Sequence, residues 1–172
     1  MSHSAKAAHL GSSLSCVDIL IAIFFGNIFN FNNKKIKGDK FILSKGHAAA
    51  ALYSILAEKK YFSKLKLKDY GKNNSFFEEH PNTKIKGVIC STGSLGHGLS
   101  FGAGINLGEK IMNKDFKTVI LMSDGECNEG TVWEAAGFAA AQKLKNLIVI
   151  VDYNKWQATG RTKSIVGGNL VK

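Results

Sequence analysis

The sequence predicts an α/β domain in which a parallel sheet carries helices on both faces. Short apolar segments of strand length alternate with longer segments that have the apolar density of helices, and the joints between them are short. This order favours parallel strands joined by crossover helices. Neither a low-complexity linker nor an internal repeat divides the chain, so residues 1–172 are expected to form a single domain.

Four helices and four strands are predicted. The first helix is placed at 13–29, where Ser15 and Asp18 have the spacing of a capping box. From their length and apolar content, the other helices are predicted at 48–60, 101–112 and 131–144. The strands are predicted at 39–44, 86–91, 116–122 and 146–152.

Composition argues against two classes of function. The formal net charge is +10, but Arg161 is the sole arginine, so the bidentate contacts that distinguish DNA bases have almost no donor, and nucleic-acid binding is not expected. The longest apolar stretch, 19–29, is too short to cross a bilayer and is expected to be a core helix. Three cysteines without a C-x-x-C pair, and no visible signal peptide, predict a cytoplasmic protein.

The chemistry is expected where the strands end. In parallel α/β sheets, ligands bind beyond the carboxyl ends of the strands. The loops that follow the predicted strands, where glycine, histidine, aspartate and asparagine concentrate, cover 44–47, 91–98, 123–130 and 152–160. These loops are therefore the first place to look for a site.

Asp124 ends one predicted strand and Asn154 follows the next one. If the two strands are neighbours, their axes lie about 4.8 Å apart, which is near the separation of about 3 to 4 Å between two oxygens on one Mg²⁺. One carboxylate and one amide oxygen hold Mg²⁺ weakly, so phosphate oxygens of a ligand are expected to complete its coordination. Gly125 would let the backbone approach such an anion. Spacing alone leaves two interpretations open, a metal site or two capped turns.

Four motifs favour the metal site, because together they resemble the pyrophosphate-binding half of transketolase. SDGECNEG followed by VDYN is similar to the thiamine diphosphate signature, an Asp-Gly pair with a later asparagine. AAHLGSSLSCVDIL, SKGHAAAALYS and STGSLGHGLSFGAGI also resemble transketolase segments, in the expected order from His9 to Arg161. The resemblance implies a thiamine diphosphate-binding fold of the pyrophosphate type, with thiamine diphosphate and Mg²⁺ as cofactors.

The resemblance also implies roles for individual residues. Mg²⁺ would be held by Asp124, Asn154 and the backbone carbonyl of Trp156. Residues expected to contact or approach the cofactor are Gly93, Leu95, Gly125 and Glu129, the last of these at a subunit interface. Histidines expected to be catalytic, near the thiazolium ring and the substrate channel, are His9, His47, His80 and His97. The resemblance implies that such histidines contact the diphosphate or sugar hydroxyls and shuttle protons, and His47 and Asn154 are also expected to bind the cofactor. Imidazole suits this work because it donates, accepts and titrates near neutrality. His97 stands where the family commonly has glutamine, and Ser123 replaces the usual first glycine of Gly-Asp-Gly.

A partner chain is expected as well. In the family, the glutamate that activates the cofactor belongs to a pyrimidine-binding domain, which this sequence does not contain. The chain is therefore expected to be an N-terminal subunit or fragment, incomplete at both ends and truncated at the C-terminus. In a homodimer or heterotetramer with the pyrimidine-binding chain, it would transfer a two-carbon ketol unit between sugar phosphates, as in the pentose phosphate pathway. Two alternatives stay open: another thiamine diphosphate enzyme, of the 1-deoxyxylulose-5-phosphate synthase or dehydrogenase E1 type, and an inactive fragment with only an assembly role.

Overall fold

The computed structural model describes residues 1–31 and 38–165. The helices are α1 (Ser2–Ala5), α2 (Leu10–Ser15), α3 (Val17–Phe25), α4 (Ala49–Glu58), α5 (His97–Ile111), α6 (Gly130–Ala141) and α7 (Thr162–Ile165). The strands are β1 (Lys40–Leu43), β2 (Thr118–Ser123), β3 (Leu147–Asp152), β4 (Trp156–Gln157) and β5 (Gly160–Arg161). Short 3₁₀ helices cover Gly46–Ala48, Lys64–Asp69 and Gly125–Asn128.

The main sheet has the strand order β1-β2-β3, and both pairings are parallel. Leu43 at the end of β1 pairs with Leu121, and Ser123 at the end of β2 pairs with Asp152 at the end of β3. The strands before Asp124 and Asn154 are therefore neighbours, which is the condition that a shared site between these two residues requires. Their carboxyl ends meet at one edge of the sheet.

Successive side chains of each strand point to opposite faces of the sheet, so the apolar core is divided between the two faces. One face carries Leu43 and Val119, which belong to a cluster with residues of α3 and α4. The other face carries Ile42 and Ile120, which pack in a second cluster with Leu99 of α5 and with residues of α6. This arrangement confirms the predicted α/β fold with helices on both faces.

The strand predicted at 86–91 is wrong. That segment contains turns and bends, although its apolar residue Val88 is buried. Gly87 has φ +96, and a Cβ there would lie 2.6 Å from the ring of Tyr61. The apolar residues of this segment thus pack as irregular chain against the helical layer. They are buried as strand residues would be, but the segment pairs with no strand in the described part of the chain.

The single helix predicted at 13–29 is also wrong, because the chain forms two helices that break at Cys16. Cys16 is fully buried with φ −107 and ψ 7, and it is the N-cap residue of α3 without a side-chain capping bond. The predicted capping box does not form, since Ser15 donates its hydroxyl hydrogen to Asp152. Helix α5 begins at His97, four residues before the predicted start at 101.

The apolar stretch at 19–29 supplies core residues, as predicted. Leu20, Ile23 and Phe24 of α3 are buried in the cluster shared with α4. None of the helices in the described ranges has the length and apolarity that crossing a membrane requires.

Candidate cofactor site

A cavity of about 770 Å³ lies at the carboxyl edge of the sheet. It is open enough for a ligand, and its wall combines main-chain turns with imidazole, hydroxyl and amide groups. Residues singled out from the sequence that line it are His9, His47, His80, Gly93, Leu95, Gly125, Asn154 and Trp156. Ser12, Ser15 and Gln157 also line it.

Asp124 is buried beside this cavity, with only 2% of its surface exposed. Its Oδ2 accepts hydrogen bonds from the backbone N–H of Lys155 at 3.1 Å and from the hydroxyl of Thr162 at 2.8 Å. Its Oδ1 accepts from the backbone N–H of Gly125 at 3.0 Å. The carboxylate therefore bonds directly to the residue that follows Asn154, and the two strand ends lie together.

Asn154 lies at the cavity wall with both ends of its amide bonded. Oδ1 accepts from the backbone N–H of Trp156 at 2.8 Å. Nδ2 donates to Ser15 Oγ at 3.3 Å and to Asp152 Oδ2 at 3.4 Å. The amide is thus held between the 154–156 turn and a buried polar network.

That network centres on an ion pair that the sequence analysis missed. Lys45 is fully buried, and its ammonium lies 2.5 Å from Oδ2 of Asp152, which is 5% exposed. Lys45 also donates to the carbonyl of Ser12 at 3.0 Å and to Ser15 Oγ at 3.3 Å. One ammonium therefore joins helix α2, the loop after β1 and the end of β3.

Glu126 is a second buried acid that the sequence analysis missed, and it joins a different set of loops. Its Oε1 accepts from Ser44 Oγ at 2.5 Å and from the backbone N–H of Gly96 at 3.1 Å. Its Oε2 accepts from the backbone N–H of Ser123 at 2.8 Å. The sequence shows Glu126 only as a second acid directly after Asp124-Gly125. Spacing along the chain could not predict that it bonds to Ser44 and Gly96.

Ser123 needs no glycine-specific backbone. It is the last residue of β2, and it is not among the described residues with positive φ. A serine is therefore compatible with this position, for which the sequence resemblance implies glycine.

The histidines at positions 9, 47 and 80 form one group at the cavity. The ring centroids of His9 and His47 are 5.7 Å apart, and those of His9 and His80 are 6.0 Å apart. The pKa of His47 is lowered from 6.5 to about 4, first by burial and then by the positive charge of Lys45 and by the neighbouring imidazoles. His47 is therefore a neutral imidazole at neutral pH, able to donate from one nitrogen and accept at the other.

Two glycines bring main chain close to the cavity wall. A Cβ on Gly93 would lie 3.3 Å from the ring of His80, and a Cβ on Gly125 would lie 3.0 Å from Cγ of Gln157. The buried Nε2 of Gln157 has no hydrogen-bond partner among the described residues. An unpaired buried donor costs roughly 1–3 kcal/mol, so a ligand with acceptor oxygens would satisfy it.

Two of the predicted residues lie outside the group. His97 is the first residue of α5, it is exposed, and it does not line the cavity. Glu129 is exposed at the N-cap of α6, and it also does not line the cavity. The structure thus separates both from the three clustered histidines.

The residues present fit a divalent cation that is shared with an anionic ligand. Asp124, Glu126 and Asp152 place three buried carboxylates around the strand ends, and of these Asp152 is paired with the buried ammonium of Lys45. Oδ1 of Asp124 and Oδ1 of Asn154 each accept a single bond, which leaves each a lone pair for a metal. No group of three or more His, Cys, Asp or Glu side chains suited to a metal occurs in the described part of the chain.

Comparison with known proteins gives a consistent picture. Residues 1–171 match the family described as transketolase, thiamine diphosphate binding domain. The chain is 39% identical over 166 residues to a Phocaeicola vulgatus protein named as one subunit of apulose-4-phosphate transketolase, an alignment that covers 95% of this chain and 59% of the relative. It is 36% identical to human transketolase over 155 residues, which are 88% of this chain and 25% of that protein. The chain thus spans less than two thirds of the length of these relatives.

Solved structures give the same likeness. The crystal structure of transketolase from Campylobacter jejuni superimposes with a TM-score of 0.80 at 30% sequence identity. The match covers 89% of this chain and 26% of the other chain.

Proposed function

Because the chain belongs to the transketolase family, whose thiamine diphosphate-binding domain it matches, we propose that the cavity of this chain binds Mg²⁺ and thiamine diphosphate. In this proposal, the chain transfers a two-carbon ketol unit between phosphorylated sugars, and it does so only with a chain that carries the pyrimidine-binding domain. This chain would then supply one half of an active site that the two chains share.

One observation carries the proposal. A single cavity at the carboxyl edge of the sheet collects His9, His47 and His80, the turn at Gly93, and Asn154 in the loop after β3. Asp124 is bonded to the same 154–156 turn through the N–H of Lys155. A module with only an assembly role would need neither the cavity nor the buried carboxylates.

Asp124, Asn154 and the carbonyl of Trp156 would hold Mg²⁺, and the diphosphate would complete its coordination. Gly125 would let the diphosphate approach the main chain, and the Gln157 amide, whose Nε2 has no partner among the described residues, would donate to a diphosphate oxygen. Thiamine diphosphate, when bound, supplies the nucleophilic carbon that attacks a ketose carbonyl.

The histidine group would bind and orient the sugar. His47 is neutral at neutral pH because burial lowers its pKa to about 4, so it can donate to one sugar hydroxyl and accept from another. Nδ1 of His9 lies 3.5 Å from Oε2 of Glu79, and the centroid of its ring lies 5.7 Å from that of His47 and 6.0 Å from that of His80. We therefore propose that the three histidines hold the hydroxyl groups of the sugar and move protons between them.

The proposal of a partner chain rests on the relatives. Several are named as subunits, including those of the apulose-4-phosphate transketolase of Phocaeicola vulgatus and the 6-deoxy-6-sulfo-D-fructose transketolase of a Clostridium strain. The two names share a ketose that carries an anionic group, so a phosphorylated ketose is the proposed substrate class here. The net charge of +10 would attract such substrates.

Calorimetry on the assembly that contains this chain and its partner tests the proposal. Thiamine diphosphate is titrated with Mg²⁺ present, and Asp124→Ala and Asn154→Ala should each reduce its affinity by more than roughly 10-fold. Asp69→Ala is the matched control, because Asp69 is exposed and pairs with Lys72 on the surface. Unchanged binding in both site variants would refute the metal assignment. Turnover of xylulose 5-phosphate, compared with pyruvate, separates ketol transfer from the other thiamine diphosphate reactions.

A further inference from the structure

We infer that Asp152 is a positioning residue that fixes which end of the Asn154 amide is presented to the cation. The inference rests on the proposed Mg²⁺ site and concerns a residue outside the proposed ligand set. Asp152 ends β3, two residues before Asn154.

The orientation of the amide follows from the chemistry of its neighbours. The side-chain Nδ2 of Asn154 lies 3.4 Å from Oδ2 of Asp152. An ionised carboxylate only accepts hydrogen bonds, so the atom that faces it must be the amide nitrogen. The carbonyl oxygen, Oδ1, is thereby left at the other end, where it accepts from the N–H of Trp156 and keeps a lone pair. Only this end of the amide can bind a cation.

Asp152 is itself held rigidly. Oδ2 accepts from Lys45 Nζ and from Ser15 Oγ, both at 2.5 Å, and all of these contacts are buried or partly buried. Ser15 also accepts from Nδ2 of Asn154 at 3.3 Å, so it supports the same orientation from a second side. Such partners around a metal ligand typically change affinity by about 10- to 100-fold when they are removed.

Asp152→Asn is the informative variant because it preserves shape but not chemistry. The amide oxygen at 152 stays beside the ammonium of Lys45, but it is neutral and therefore a weaker acceptor than a carboxylate oxygen, so the nitrogen end of the Asn154 amide is held less firmly. The affinity for Mn²⁺, measured by electron paramagnetic resonance of the free ion on the native assembly with thiamine diphosphate present, should fall by about 10- to 100-fold. The control is Asp115→Asn, because Asp115 accepts from the amide of Asn146 at 2.7 Å in a similar pair before β2 and β3. That variant should leave Mn²⁺ affinity unchanged.

A double-mutant cycle separates orientation from mere structural support. Asn154→Asp replaces the amide with a carboxylate, which has no wrong end to present. In that background Asp152→Asn should no longer weaken Mn²⁺ binding, and it should relieve repulsion between the two carboxylates. An equal loss in both backgrounds would overturn the inference, because it would show a structural effect that is independent of the amide.

Two further outcomes are decisive. If the Asp152→Asn assembly does not fold, Ser15→Ala serves instead, since it removes one of the two acceptors of Asn154 Nδ2; a several-fold loss of Mn²⁺ affinity supports the inference, and no loss overturns it. If wild-type protein binds Mn²⁺ but Asp152→Asn binds it equally well, the inference alone fails. If wild-type protein binds no Mn²⁺ with thiamine diphosphate, the proposed function fails and the inference fails with it.

Discussion

Ser44 donates a 2.5 Å hydrogen bond to Glu126, a residue that lies on the loop after the neighbouring strand. The next residue, Lys45, pairs with Asp152 at the end of β3. Two consecutive residues at the end of β1 therefore bind the two buried acids that organise the other cavity loops.

Replacement of Lys45 by methionine should strongly destabilise the protein. The change keeps a long side chain but removes the ammonium, so the buried carboxylate of Asp152 loses its cation. The free energy of unfolding is expected to fall by about 3–5 kcal/mol. Chemical denaturation of the wild-type and variant proteins measures this difference.

The matched control for that change is Lys64→Met. Lys64 and Glu58 also lie 2.5 Å apart, but their side chains are 63% and 54% exposed. An exposed pair contributes only about 0–1 kcal/mol. Equal losses in the two variants would contradict the view that burial makes the Lys45 pair important.

Glu126→Gln should weaken both folding and cofactor binding. The groups that bond to Oε1 and Oε2 of Glu126 are hydrogen-bond donors. In the glutamine variant an NH₂ group replaces one of these oxygens and faces a donor instead of an acceptor, at a cost of about 1–3 kcal/mol. Because two of these donors, the N–H groups of Gly96 and Ser123, lie two or three residues from Gly93 and Gly125, thiamine diphosphate affinity should fall as well. Thermal unfolding and calorimetry measure the two effects. Glu134→Gln, at an exposed position of α6, should change neither.

Gly98→Ala should displace helix α5 from the end of β1. A Cβ at Gly98 would lie 2.7 Å from Cα of Ser44 and would overlap the Ser44 side chain, and overpacking of this kind costs about 1–3 kcal/mol. Gly104 lies in the same helix with no atom within 4 Å of an added Cβ, so Gly104→Ala should stabilise the helix by up to about 1 kcal/mol. Denaturation midpoints that move in the same direction for both variants would contradict this prediction.

The pH dependence of stability should report His47. Its folded-state pKa is lowered from 6.5 to about 4. Between these values the unfolded chain binds a proton that the folded chain does not, so the free energy of unfolding rises with pH by up to about 1.4 kcal/mol per unit. This contribution is complete above pH 6.5 and is lost as the pH falls toward 4.

His47→Asn should remove that part of the dependence. Denaturation of the ligand-free protein across this range should give a flatter curve for His47→Asn than for the wild type. His3→Asn is the control, because His3 is exposed in α1 and should leave the curve as it is. A curve for His47→Asn that coincides with the wild-type curve would show that His47 titrates normally.

The strand predicted at 86–91 shows where sequence reasoning ends. Burial of Val88 and Ile85 is visible as an apolar pattern, but the pattern does not distinguish a paired strand from irregular chain packed on a helix. Gly87, with φ +96 and a close approach to Tyr61, decides the matter through a contact with another part of the chain. In the same way, Ser15 has the spacing of a helix cap, but its hydroxyl bonds to the distant Asp152.

The sequence by itself determined the α/β class, the parallel sheet, the loops at its carboxyl edge and the family, because alternation of apolar segments and contiguous motifs are local properties of the chain. The tertiary structure alone decided that His9, His47 and His80 form one group while His97 stays outside it. It alone also revealed the contacts of Lys45, Glu126 and Asp152. A buried charge is tolerated only when its partners meet it in space, and those partners come from elements that no spacing along the chain connects.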